Sequence, residues 1–262
     1  MLKGLAHALG NARHSDFHLA RTAREWASVF SIEGPCGEPV RVLDVGGAYQ
    51  SATYLGRRRH EPVFEYYRTF DAAFSRNAPV RRALMIGGGG CAWPRHAATT
   101  HPSLRIDVVE EDARIIDIAR RWFFVDELER AGSLRLIAAE GRAYLERTAR
   151  TYDAILVDAF RGAEPALSLA TVEAAHVISR RLNPGGIYLG NVVSRDGGAD
   201  LSFLRDTVAT LREAFACVQV IPCPDLEYSD ESNFLVAASD TAIPLEGALP
   251  YDDDFPGTPL RD

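Results

Sequence analysis

The sequence predicts an α/β chain: a doubly wound, mostly parallel seven-stranded sheet ending in an antiparallel strand pair, preceded by a small N-terminal helix and β-hairpin region. Three observations carry this expectation. From residue 80 onward, short apolar runs alternate with helical segments, which is the rhythm of βαβ units. Four consecutive glycines stand between the first of those runs and a helix, the place where such sheets turn sharply toward a ligand. The last two apolar runs are separated by CPDLEYSDE, too short for a helical crossover, so they pair antiparallel.

Residues 15–30 put Phe17, Ala20, Trp26 and Phe30 near one helical stripe, with Ser15 or Asp16 as cap, and predict a helix ended by Gly34, Pro35 and Gly37. VRVLDV (40–45) and AYQSATYL (48–55) flank Gly46-Gly47 and predict a hairpin. A second helix is expected over 62–76. The strands that follow are RRALMI (81–86), LRIDVVE (104–110), LRLIAA (134–139), YDAILVD (152–158) and IYLGNVV (187–193). Helices are expected after the glycines and over 112–123, 170–182 and 201–215, the third stopped by Asn183, Pro184 and Gly185-Gly186. CVQVIP (217–222) and SNFLVAAS (232–239) close the sheet, and the tail from Thr241 is expected to be irregular or disordered. The chain thus divides into an N-terminal region (1–78), a nucleoside-binding domain (79–240) of Rossmann-like plan and a tail (241–262).

Composition narrows the functions. The chain has 262 residues, 47% hydrophobic and 25% charged, with a net charge of −7. That is ordinary for a globular protein and wrong for a nucleic-acid partner, whose footprint is basic. No apolar run reaches the roughly 18 residues needed to span a bilayer, and the N-terminus lacks a signal-peptide pattern, so a cytoplasmic protein with a small-molecule substrate is expected. Cys36, Cys91, Cys217 and Cys223 form no CxxC pair, which argues against zinc and disulfides. His14 and His18 lack a third ligand and Asp252 to Asp254 read as a solvated tail, so no metal is expected.

The candidate chemistry lies at strand ends. Gly87, Gly88 and Gly89 allow close backbone approach to a ligand. Glu110 ends the next strand about twenty residues on, where an acid accepts from both ribose hydroxyls. Glu140-Gly141 ends the third strand, on the adenine side; Glu140 is alternatively an ordinary loop acid. Asp158 ends the fourth, where a carboxylate can act as general base on an amine or hydroxyl, or simply hold the sheet edge. Trp122-Phe123-Phe124 is expected to pack the sheet, and Trp93 to face either the adenosine or the core.

Taken in order, GGGG after a strand, VVEED, EG, YDAILVDAF and NPGGIYLGN resemble the spermidine synthase family over roughly residues 40–238. The resemblance implies the fold of S-adenosylmethionine methyltransferases, a cofactor that is S-adenosylmethionine or its decarboxylated form, and a homodimer. It implies nucleoside contact by Gln50, a ribose role for Glu110, an adenine-side role for Glu140 and a base at Asp158. The sequence also departs from the family pattern. Gly90 stands where GGGDGG has aspartate, Asp158-Ala159-Phe160-Arg161 replaces a D-x-x-D-P-like stretch, and Phe64-Glu65-Tyr66-Tyr67 replaces a tyrosine- and histidine-containing signature. These departures remove acids that would hold amine nitrogens. They point to Arg161 as a substrate residue that pairs a carboxylate, and so to S-adenosylmethionine at least as readily as the decarboxylated compound. The readings open from the sequence are a spermidine synthase-like group transferase, a methyltransferase, and a non-catalytic nucleoside-binding protein. A nicotinamide oxidoreductase is disfavoured by the antiparallel sheet end.

Overall fold

The computed structural model describes residues 17–34, 37–74, 79–161, 164–194, 200–224, 232–242, 245–249 and 256–262. A seven-stranded sheet runs in the order β12 (Cys217–Pro224), β13 (Ser232–Ser239), β11 (Leu182–Ser194), β8 (Tyr152–Val157), β5 (Arg82–Ile86), β6 (Arg105–Glu110), β7 (Leu134–Ala138). Neighbours from β11 to β7 are parallel, and β13 lies antiparallel between β11 and β12. Ala83 to Ile86 and Ala154 to Leu156 are buried without alternation, as central strands covered on both faces must be.

One face is covered by α5 (Gly141–Arg147), α6 (Val172–Arg181) and α7 (Ser202–Arg212), which bury Leu145, Ala175, Ile178, Leu204 and Val208 against Leu84, Ile155 and Val236. The other is covered by α2 (Ala92–Thr100), α3 (Ala113–Trp122) and α4 (Val125–Arg130), and by an antiparallel sheet of β1 (His18–Arg21), β2 (Trp26–Glu33), β3 (Pro39–Val45) and β4 (Ala48–Tyr54). Phe30, Leu43 and Ala52 of this smaller sheet share one hydrophobic core with Met85, Trp93 and Ile106. Trp93 therefore faces the core, where its indole N–H donates to Asp71 at 3.0 Å. Phe123 is fully buried in the same core.

The helix expected over 15–30 is instead the β1–β2 hairpin. Thr22 and Glu25 close its turn: Thr22 Oγ1 donates to the Glu25 carbonyl at 2.8 Å and the Glu25 N–H donates back to Oγ1 at 3.0 Å. Ala27 to Ser31 are all buried, so the apolar stripe is that of a strand covered on both sides. His18 accordingly sits on a strand, its ring 5.4 Å from that of Trp122, while His14 and Asp252 to Asp254 lie outside the described residues. The helix expected over 62–76 is shorter: one turn, α1 (Tyr66–Thr69), followed by a 3-10 stretch (Phe70–Phe74). The short helices α4 and α5 went unpredicted.

Arg95, on α2, is 0% exposed. Its Nε donates to the Gly90 carbonyl at 3.2 Å, Nη1 to Thr53 Oγ1 at 2.8 Å and to the Arg59 carbonyl, and Nη2 to the Ala52 carbonyl at 3.3 Å. Burial lowers its pKa to about 10. The tail is irregular where described, and residues 256–262 are pinned. Thr258 N–H donates to Asp206 at 2.7 Å, Leu260 N–H to Thr210 Oγ1 at 2.9 Å, and Asp262 accepts from Thr171 at 2.7 Å.

Candidate functional site

A cavity of about 890 Å³ opens at the carboxyl edge of the large sheet, roofed by the small sheet and by α1. It is of the size that holds a small-molecule ligand. Six carboxylates line it, from Glu25, Glu110, Glu111, Asp112, Glu140 and Asp158. Arg24 is the one guanidinium among the described lining residues, and it is paired with Glu111 at 3.4 Å. The field inside therefore favours a cationic ligand.

The floor over β5, β6 and β7 is built by backbone. Gly87 has φ +86°, and a Cβ there would lie 2.0 Å from the Asp158 carbonyl oxygen, so only glycine allows β5 to turn past β8. The N–H groups of Gly88 and Gly89 donate to Glu110 Oε2 at 3.1 and 3.3 Å, and Asp112 N–H donates to Oε1 at 3.0 Å. A carboxylate offers about four lone-pair sites, so Glu110 keeps roughly one, on Oε1, for a ligand hydroxyl. Loss of water raises its pKa, and the three backbone N–H bonds oppose that. Glu140 caps α5, accepting from Arg142 N–H at 3.1 Å and Ala143 N–H at 2.7 Å. Gly141 is a packing requirement, because a Cβ there would meet Ile86 Cγ2 at 2.4 Å. Gln50, on β4, lines the cavity from the roof, and the Gln50 carbonyl lies 3.2 Å from where a Gly89 Cβ would stand.

The floor over β8 and β11 is built by side chains. Asn191 Nδ2 donates to Asp158 Oδ1 at 2.8 Å, and Tyr66 Oη donates to Oδ2 at 3.2 Å. Tyr67 also hydrogen-bonds this carboxylate, and the rings of Tyr66 and Tyr67 lie 4.2 Å apart. Desolvation raises the Asp158 pKa above the ordinary carboxylate value, while Asn191 and the two tyrosines pull it back. Both phenols are held well above their usual pKa, first by desolvation and then by the Asp158 charge, so they remain donors. Phe64, Phe160 and Val193 complete this end.

The cavity thus gathers Gln50, Gly87 to Gly89, Glu110, Glu140, Gly141 and Asp158 in one place. Gly90 behaves differently. It is not among the described lining residues, and a Cβ on it would run into Ser51 Oγ at 2.6 Å and Phe123 at 2.8 Å. Its glycine reflects the packing of β4 on the turn, and a side chain there would point at Ser51 and Phe123, so the glycine does not deplete the cavity of charge. Arg161 follows the lining residue Phe160 in β9 (Phe160–Arg161), which pairs antiparallel with β10 (Glu164–Pro165); its side chain lies outside what is described. Several lining residues went unread in the sequence. Tyr66 and Tyr67 stand in the segment read only as a departure, and they reach Asp158 through chain folding alone. The 22–25 turn also lines the cavity, and Ala23 N–H donates to Asp112 at 2.6 Å. Reading that segment as a helix hid it.

Among the described residues there is no cluster of metal-ligating side chains and no helix long and apolar enough to cross a membrane. The spermine/spermidine synthase domain family matches residues 72–240. A polyamine aminopropyltransferase of Vibrio vulnificus is 27% identical over 207 residues, 78% of this chain and 65% of the relative. Two further polyamine aminopropyltransferases, from Bifidobacterium longum (designated probable) and Hyperthermus butylicus, are 28% and 32% identical over 32% and 55% of their own lengths. The chain therefore spans between about a third and two thirds of these curated relatives. Among solved structures, a probable spermidine synthase from Corynebacterium glutamicum superposes with a TM-score of 0.72 at 26% identity, over 86% of this chain and 80% of that one. Human methyltransferase-like protein 13 in complex with SAH shares the fold at a TM-score of 0.56 and 21% identity, over 71% of this chain and 85% of that one.

Proposed function

Because the chain belongs to the spermine/spermidine synthase family, we propose that it is a group transferase that holds an adenosyl sulfonium cofactor over β5–β7 and presents an acceptor to Asp158. The observation that carries this reading is the Asp158 constellation: a desolvated carboxylate at the cavity floor, held by Asn191, Tyr66 and Tyr67, with no cation among its described partners.

The residues present fit such a cofactor. Glu110 retains an acceptor site beside the glycine turn, Glu140 and Gln50 line the adjoining walls, and the six carboxylates favour a positive ligand. When bound, S-adenosylmethionine or its decarboxylated form supplies an electrophilic carbon on a sulfonium sulfur, which departs with the bonding pair. Asp158 takes the proton from the acceptor's nitrogen or oxygen. Its raised pKa makes it a better proton acceptor than an ordinary carboxylate. Tyr66 and Asn191 fix both of its oxygens, so the carboxylate meets the acceptor in one orientation.

Polyamine aminopropyl transfer and methyl transfer to a small acceptor share this machinery. A guanidinium reaching the cavity from Arg161 would pair the carboxylate that the decarboxylated form lacks. Calorimetry with methylthioadenosine, S-adenosylhomocysteine, S-adenosylmethionine and its decarboxylated form tests the cofactor, and turnover against a panel of amines tests the transfer. Absence of binding by all four nucleosides would sink the reading. Binding without turnover of either sulfonium would leave a nucleoside-binding protein. A preference for the decarboxylated form of about tenfold, 1.4 kcal/mol, would remove Arg161 from the argument.

A further inference from the structure

Asn233 lies on β13 at the wall of the cavity, 8% exposed. Its side-chain amide has two donor hydrogens and an acceptor oxygen, and it finds no hydrogen-bond partner among the described residues. No polar atom of this amide is both sealed from solvent and unpaired, so its free donors and acceptor face the cavity, open to a ligand. The sheet register shows where that ligand extends. Asn191 is opposite Leu235 and Val193 is opposite Asn233. Directly opposed residues of an antiparallel pair share a face, so Asn233 is the diagonal neighbour of Asn191 on the face that carries Asp158. The row Asp158, Asn191, Asn233 crosses β8, β11 and β13, away from the glycine turn on β5. Two strand spacings, about 10 Å, separate its ends. Phe64, Phe160 and Val193 also line the cavity and suit a hydrocarbon chain.

We propose that Asn233 recognises the far end of the acceptor: a small amine whose attacking nitrogen meets Asp158 and whose opposite end is an uncharged hydrogen-bonding group such as a hydroxyl or amide. A side-chain amide satisfies such a group as donor and acceptor together, whereas a second ammonium would find there an amide oxygen and no carboxylate, since Glu110, Glu111, Asp112 and Glu140 lie at the ends of β6 and β7, across the sheet from β13. The inference rests on the transferase reading above, and the experiment keeps the two apart.

The test is titration of 5-aminopentan-1-ol, 1-aminopentane and 1,5-diaminopentane into the full chain saturated with methylthioadenosine. The wild type should bind the amino alcohol about tenfold more tightly than either other amine, roughly the 1.4 kcal/mol of one hydrogen bond. Asn233→Leu, of similar size, should erase that difference and leave methylthioadenosine affinity unchanged. Its Tm should hold or rise, because no protein partner is lost. Asn233→Asp should turn the preference toward the diamine. Equal binding of the three amines by wild type, or discrimination that survives in Asn233→Leu, would overturn the proposal. So would a fall in Tm or failure to fold in Asn233→Leu, which would mark Asn233 as structural. Failure of methylthioadenosine to bind the wild type would instead strike the transferase reading, and this inference with it.

Discussion

The two halves of the cavity are built by different means. Over β5–β7 the carboxylates are held mainly by backbone: Glu110 by the N–H groups of Gly88, Gly89 and Asp112, Glu140 by those of Arg142 and Ala143, with one longer side-chain bond from Ser168 Oγ at 3.4 Å. Over β8–β11 the carboxylate of Asp158 is held by the side chains of Tyr66, Tyr67 and Asn191, brought from elements up to 92 residues away. A backbone-built half needs only glycines and a strand end, and it tolerates change in everything else. A side-chain-built half can be retuned by single substitutions. The half proposed to hold the nucleoside is therefore expected to be generic, and the half proposed to hold the acceptor to carry specificity.

The strongest way to break this division is Gly87→Ala, because Gly87 is where the halves touch. Its Cβ would fall 2.0 Å from the Asp158 carbonyl at φ +86°. The expected loss is about 2–5 kcal/mol of stability, combining left-handed strain and overpacking, with nucleoside affinity and turnover falling together; thermal unfolding and calorimetry check it. Loss of one without the other would show the halves to be independent.

Asp158→Asn should lower turnover by about 10²–10⁴-fold, the usual worth of a positioned base, with methylthioadenosine affinity unchanged. Folding raises the Asp158 pKa, so stability is lost as pH rises from the ordinary carboxylate value to the folded one, and above that window the neutral variant should be no less stable. For the same reason wild-type activity should fall as pH drops through a value above the ordinary carboxylate range. A pH–rate profile with its acid limb at the ordinary value would remove Asp158 as base.

Glu110→Ala should weaken methylthioadenosine by about 1.5–3 kcal/mol, the range for a hydrogen bond to a charged group, and leave amine affinity untouched. Equal nucleoside affinity would take Glu110 out of the site. The smallest effect sharpens the other half. Tyr66→Phe removes one bond that lowers the Asp158 pKa, so the acid limb should move upward. An unmoved limb would mean Tyr66 only packs.

The same contrast explains what was legible in the sequence. β5, β6, β8, β11 and the closing pair were readable because each is a short apolar run with a helix or turn signal beside it. Gly87 to Gly89 and Glu110 were readable because their geometry is local to a strand end. Tyr66, Tyr67, Asn191 and Asn233 were not, because no spacing in the chain places them around Asp158. The β1–β2 hairpin was misread because the apolar residues of a fully covered strand fall by chance on a helical stripe, and the Thr22–Glu25 turn lacks glycine or proline to mark it.

Arg95 has a consequence for how the molecule comes apart. Its guanidinium sits on α2, but the oxygens of Ala52, Thr53 and Arg59 that receive it belong to β4 and the loop after it. Lifting the small sheet away would take from it the three acceptors of Thr53, Arg59 and Ala52 and open the hydrophobic core that the two sheets share. The roof of the cavity and its floor should therefore melt in a single transition, with no populated state in which the nucleoside half is folded and uncovered.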